Sequence, residues 1–91
     1  MLGFILDKVE NKMKTLFIVN PVAGRNSSFE IWNDIKVHIT YSYDFILTKN
    51  PGEATEIAAN AVKQGFTRVV AVGGDGTVSE VVNGIVGTDI K

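Results

Sequence analysis

The chain predicts an open parallel α/β sheet of the three-layer, Rossmann-like kind, and three observations carry that prediction. Apolar runs rich in β-branched residues, at 15–20, 45–48 and 69–72, alternate with stretches whose apolar residues recur at helical spacing. The runs show no polar alternation, as expected for strands covered on both faces. Each run ends at a turn rich in Gly, Pro or Asn, so three loops gather at the carboxyl edge of one sheet.

The elements follow in order. Thr15–Asn20 is the first strand, stopped by Pro21, and Gly24-Arg25-Asn26-Ser27 is a loop. Ser27 or Ser28 can cap a helix carrying Phe29, Trp32 and Ile35. Phe45–Thr48 is the second strand. Asn50-Pro51-Gly52-Glu53 reads as a helix start, with a capping Asn, Pro at the first helical position and Glu at the third. Ala54, Ile57, Ala58, Ala61 and Val62 supply that helix's buried stripe, and Gly65 closes it. Val69–Val72 is the third strand. A glycine loop follows, then a helix marked by Val78, Val81, Val82 and Ile85, with Gly87 as its stop.

Composition bounds the function. A chain of 91 residues is one small domain, which buries only about 60–65% of its unfolded surface. A hydrophobic fraction of 45% suffices for a core and argues against disorder. Nine Lys and Arg stand against ten Asp and Glu, with no basic stripe interleaved with aromatics, so nucleic acid is not an expected partner. With no cysteine, disulfides, thiolate chemistry and cysteine metal sites are excluded. That fits a reducing cytoplasm, the expected location. No apolar run approaches the ~18 residues that span a bilayer. Leu2–Leu6 is cut short by Asp7-Lys8 and has no basic region ahead of it, so it does not read as a signal peptide. Residues 1–13 place Leu2, Ile5, Leu6, Val9 and Met13 at helical spacing and read as an extension with a short packing helix. A membrane-surface helix is the minority reading, because the polar face carries both signs of charge.

The chemistry sits at Gly73-Gly74-Asp75-Gly76-Thr77, where a strand runs into a helix. Three glycines in four positions remove Cβ atoms that would hold a phosphate away from the main chain. Free amides at the start of the next helix can then donate to phosphate oxygens, favoured by the helix dipole. Thr77 would cap that helix and add a hydroxyl donor. Asp75 repels phosphate unless it holds Mg²⁺ through water, orders the loop or accepts a proton. The bland alternative is a tight turn with Asp75 capping. Asn20-Pro21-Val22-Ala23-Gly24 and Thr48 lie at the ends of the other two strands, and all three loops converge on one crevice. Neither the dinucleotide Gly-x-Gly-x-x-Gly pattern nor the P-loop is present.

Taken together, Asn20-Pro21-x-Ala23-Gly24, Thr48 with Gly52-Glu53-Ala54, and Gly73-Gly74-Asp75-Gly76-Thr77-x-x-Glu80-Val81-Val82-Asn83-Gly84 resemble the diacylglycerol kinase catalytic domain in its bacterial form, from about Lys14 to the end. Gly-Gly-Asp-Gly-Thr alone is shared with NAD kinases. The Glu80–Gly84 extension and the early Asn-Pro point to the lipid branch, sphingosine kinases included. The resemblance implies the amino-terminal part of the fold shared by NAD kinases and diacylglycerol kinases, and ATP- and Mg²⁺-dependent phosphorylation of a lipid hydroxyl. It maps nucleotide contacts onto Asn20, Pro21, Val22, Ala23, Gly24 and Thr48, and onto Gly74, Asp75, Gly76, Thr77, Val78, Ser79 and Glu80, with Asp75 beside the transferred phosphoryl group. Asn83-Gly84 reads as helix packing and termination.

Relatives of this family continue into a β-rich domain that supplies the lipid cleft, metal-binding carboxylates and a general base. The expectation is therefore that residues 14–91 are the nucleotide-binding part of a lipid kinase, with little turnover alone and peripheral contact with membrane. A second reading is a non-catalytic module with a vestigial site, oligomerising through its exposed sheet edge. NAD kinase ranks well behind, lacking the Glu80–Gly84 extension.

Overall fold

The computed structural model describes residues 14–22 and 28–91. In chain order the elements are β1 (Thr15–Val19), α1 (Ser28–Lys36), β2 (Asp44–Leu47), α2 (Glu53–Lys63), β3 (Arg68–Val72) and α3 (Asp75–Ile85). The expected alternation of strand and helix is present throughout. The helix expected over 1–13 lies outside the described residues, as do Ala23, Gly24 and Arg25.

All three strands are parallel, in the order β2-β1-β3. The chain steps from β1 out to β2, then back across β1 to β3. Right-handed crossovers taken in opposite directions put their helices on opposite faces, and the packing shows this. Leu16 and Ile18 pack with Ala54, Ala58 and Ala61 of α2, Val81 of α3, and Phe66 and Val69. Phe17 and Val19 point the other way, against Trp32 of α1 and Val72. Period-two alternation along β1 thus divides the core into two, and the central strand is buried at every position.

Helix ends follow local chemistry. Beyond the α2 cap at Gln64, Gly65 takes φ +89°. The Gly65 amide donates to the Val62 carbonyl at 3.3 Å and the Phe66 amide to the Ala61 carbonyl at 3.1 Å. This is a Schellman ending, with buried Phe66 lying over Ala61. Gly87, at φ +81°, lies just past the α3 cap at Val86, as expected of a stop.

One expectation is corrected, and two helices prove to bury only part of the apolar residues that mark them. Asn50-Pro51-Gly52 does not begin α2: the Glu53 amide donates to the Asn50 carbonyl at 3.2 Å, with Pro51 second and Gly52 third at φ +83°. That is a type II turn, whose third position needs glycine, and the helix starts one residue after it. Of the apolar residues that mark α1, Trp32 is buried, while Phe29 and Ile35 are 42% and 40% exposed. On α3, Val78 and Val82 are exposed, and the buried face runs through Thr77 and Val81 with Gly84 and Ile85 half-buried.

Candidate functional site

Three strands running in parallel must release their chains on the same edge, and the loops there enclose a cleft of about 360 Å³. β1 contributes Asn20 and Val22. β2 contributes Thr48, Lys49, Asn50 and Pro51. β3 contributes Gly74, Gly76 and Thr77, with Glu80 from the second turn of α3. Two walls rise from the same side, because α2 and α3 pack against each other.

Each loop is held by backbone. The Asn20 amide donates to the Val72 carbonyl at 2.9 Å, tying β1 to β3, and the Thr48 amide donates to the Val19 carbonyl at 2.8 Å. Asn20 Oδ1 accepts the Val22 amide at 3.2 Å, an Asx turn that carries the chain around Pro21. Thr48 and Thr77 are both buried, and both line the cleft.

The three glycines of the third loop are not equivalent. A Cβ on Gly73 would lie 2.5 Å from Thr77 Oγ1 and 2.7 Å from Thr77 Cβ, whereas nothing lies within 4 Å of a Cβ placed on Gly74 or Gly76. Gly73 therefore makes room for Thr77, and Gly74 and Gly76 present bare backbone to the cleft. The α3 cap is Gly74, in extended conformation. Thr77 is the third helical residue, its amide bonded to the Gly74 carbonyl at 3.0 Å. The expected cap at Thr77 is thus corrected, and Asp75 stands at the first helical position rather than capping. Its exposed carboxylate has no partner among the described residues and lies outside the cleft lining. Pro21, Val78 and Ser79 also fall outside it.

Two carboxylates on the β2 side are already engaged. Glu53 Oε1 accepts the amides of Lys49 at 2.5 Å and Asn50 at 3.2 Å, and Glu80 Oε2 accepts the Gly52 amide at 3.2 Å. The two backbone amides hold the Glu53 carboxyl below its ordinary range, with a smaller contribution from the Lys49 charge. Asn50 and Pro51, read from the sequence as a helix start, prove to be cleft wall. Their Asn-Pro-Gly turn signal is what could have pointed there.

The Asp75 and Gly76 amides, in the first turn of α3, have no intrahelical acceptor. Beside the open space at Gly74 and Gly76 and the threonines Thr48 and Thr77 of the cleft lining they make a donor-rich surface that suits phosphate oxygens. No cluster of three ligating side chains exists among the described residues. A magnesium ion would therefore be carried by phosphates and water with no more than two carboxylates, its usual habit.

An open parallel α/β domain with a polar cleft at its strand order reversal defines a broad class of ligand-binding domains. Comparison with known proteins narrows it: the diacylglycerol kinase catalytic domain family matches residues 14–91, and the chain belongs to that family. It is 33% identical over 79 residues to YtlR of Bacillus subtilis (strain 168), assigned as a lipid kinase, covering 80% of this chain and 26% of that protein. It is 35% identical over 71 residues to a diacylglycerol kinase of Staphylococcus haemolyticus (strain JCSC1435), covering 75% of this chain and 22% of that protein. A crystal structure of a Bacillus anthracis str. Sterne protein, assigned as a diacylglycerol kinase, superposes with a TM-score of 0.70 at 30% identity, over 86% of this chain and 28% of that one. The chain spans about a quarter of the length of the curated relatives it matches.

Proposed function

We propose that residues 14–91 form the nucleotide-binding part of an ATP-dependent lipid kinase, in which the γ-phosphoryl group of ATP passes to a lipid hydroxyl with Mg²⁺ as counter-ion. The observation that carries this reading is the convergence of Asn20, Thr48 and the Gly74–Thr77 turn on one cleft in a member of this family. The α3 amides, with Gly74, Gly76 and Thr77, receive phosphate oxygens. Asn20, Val22 and Thr48 line the opposite side. Asp75, at the first position of α3 beside Gly74 and Gly76, would hold Mg²⁺ through water next to the transferred group. Positioning and charge neutralisation do most of the work in phosphoryl transfer. The lipid pocket and general base belong to parts of the kinase beyond these residues. The protein works in the cytoplasm, in phospholipid metabolism, touching the membrane peripherally. No helix among the described residues is long and apolar enough to cross a membrane.

A binding measurement tests this. Urea unfolding with MgATP at a hundredfold excess over Kd should add about 2.7 kcal/mol of stability. An unchanged midpoint with MgATP would overturn the proposal, and a larger gain with NAD⁺ than with ATP would favour the NAD kinase reading.

A second reading rests on β2. This edge strand leaves Phe45 and Ile46 47% and 39% exposed, an arrangement that invites pairing with a second copy. A dimer mass in light scattering supports that reading, and a strictly monomeric mass rejects it.

A further inference from the structure

The wall of the cleft after β2 is a short turn containing a left-handed glycine, and nothing within the turn itself fixes where it stands relative to α3. The bonds that do so come from Glu80, 28 residues downstream of Gly52. Its carboxylate accepts the Gly52 amide at 3.2 Å, and its carbonyl accepts the Thr55 hydroxyl of α2 at 2.8 Å. Glu80 accepts both bonds, one with its side chain from the turn and one with its backbone carbonyl from α2.

One helical turn further along α3, Gly84 brings the two helices into close contact. A Cβ there would lie 2.5 Å from the Thr55 carbonyl oxygen and 2.7 Å from Ala58 Cβ. Glu80 and Gly84 are four residues apart and share a face with Thr77 and Val81. The face of α3 that carries the Thr77 hydroxyl into the cleft is therefore the face that grips α2 and its preceding turn. One rigid seam sets both walls.

We infer that Glu80 is a positioning residue: held by Thr55 and by the Gly84 contact, it fixes the turn at 50–53 against α3 and so sets the width of the cleft. This rests on the nucleotide reading above and changes the part Glu80 plays in it. Its carboxylate acts on the protein's own backbone rather than on the nucleotide. A side chain whose acceptor is engaged with a backbone amide, and whose charge repels phosphate, is better suited to holding the wall than to contacting the triphosphate.

The test uses the 91-residue chain and two readouts by NMR: the Kd for MgATP and the exchange protection of the Gly52 amide. E80A should weaken binding about tenfold and strip protection from Gly52, as expected for loss of one hydrogen bond to a charged acceptor. E80Q should recover part of both, because its amide oxygen can accept the same bond. T55V, at a residue outside the cleft lining, should weaken binding about threefold, the loss of one neutral hydrogen bond. Should E80A fail to fold, E80Q and T55V carry the comparison. Binding equally weak in E80Q and E80A, with Gly52 protected in both, would place the carboxylate on the ligand and overturn the inference. T55V binding at unsubstituted strength would also overturn it. If the unsubstituted chain binds no MgATP, the nucleotide reading falls and takes this role with it; failure of the variants alone leaves that reading standing.

Discussion

The two faces of the sheet are built on opposite principles. On the α2/α3 face α2 buries Ala54, Ala58 and Ala61, and Gly84 of α3 meets Thr55, Ala58 and Ala59 so closely that backbone approaches backbone and little room is left for adjustment. On the α1 face the core is aromatic. Phe17, Trp32, Tyr43 and Phe45 meet tilted or edge-on with centroids 5.0 to 6.5 Å apart, and α1 leans on them through Trp32. Aromatic rings bury large areas and tolerate several mutual geometries, whereas a glycine contact allows one. Two of the three loops around the cleft spring from the close-packed face. The difference teaches where geometric precision is kept: beside the site, on the side built from the smallest residues.

Breaking each face in turn should expose that contrast. The largest loss of stability is expected from Trp32→Ala, which empties the aromatic core. It should cost about 3–5 kcal/mol out of roughly 5–14 kcal/mol for a domain of this length, while MgATP affinity of the folded fraction stays within a few-fold. Urea unfolding combined with ligand titration checks both. Gly84→Ala comes next, because overpacking of this kind costs about 1–3 kcal/mol. Unlike the tryptophan change it should weaken MgATP binding as well, since it pushes α2 and its turn away from α3. Equal loss of affinity in the two variants would erase the distinction between faces.

A finer division runs through the glycine loop. Gly73→Ala forces a Cβ onto Thr77 and should destabilise by about 1–2 kcal/mol. Gly74→Ala meets no protein atom and has an ordinary φ of −86°, so its stability cost should stay under about 1 kcal/mol while binding suffers. Thermal melts set beside Kd values separate the two, and identical profiles would show that the loop works as one unit.

The smallest effect concerns acid. The folded Glu53 carboxyl lies below its ordinary range because it accepts the Lys49 and Asn50 amides. A depressed folded value means the stabilisation is complete above the unfolded pKa, ordinarily 4.5 for this group, and is lost as pH falls through the folded one. Glu53→Gln should therefore flatten the acid limb of the stability curve below about pH 4.5, slightly, since the group is exposed. An unchanged acid limb would show that the two backbone bonds contribute nothing.

Much of this was legible in the sequence, for reasons that differ by residue. β1 and β3 are continuous apolar runs with one reading only, and Gly65 and Gly87 mark helix ends because a left-handed residue there is nearly always glycine. The burial of Ala54, Ala58 and Ala61 follows from helical spacing. Asn50-Pro51-Gly52 was harder, since the same residues can open a helix or make a type II turn, and tertiary contacts decide. The distinct roles of Gly73, Gly74 and Gly76 could not be read at all, because they depend on where the Thr77 side chain lies. Nor could the bond from Glu80 to Gly52, which joins residues brought together only by helix packing. Val78, Val81, Val82 and Ile85 marked α3 correctly, but which of them faces inward was not legible: α3 turns Thr77, Val81 and Gly84 toward the core and α2 and leaves Val78 and Val82 outside.

The central claim is that phosphate is received at the close-packed wall, by the first turn of α3. It is tested most directly by titrating MgATP into the isotope-labelled chain and mapping amide shifts. The account predicts the largest changes at Gly74, Gly76 and Thr77, with smaller ones at Asn20 and Thr48. Shifts confined to Lys14, Thr15 and Ser42–Asp44, which line a smaller hollow of about 210 Å³ at the amino ends of β1 and β2, would contradict it.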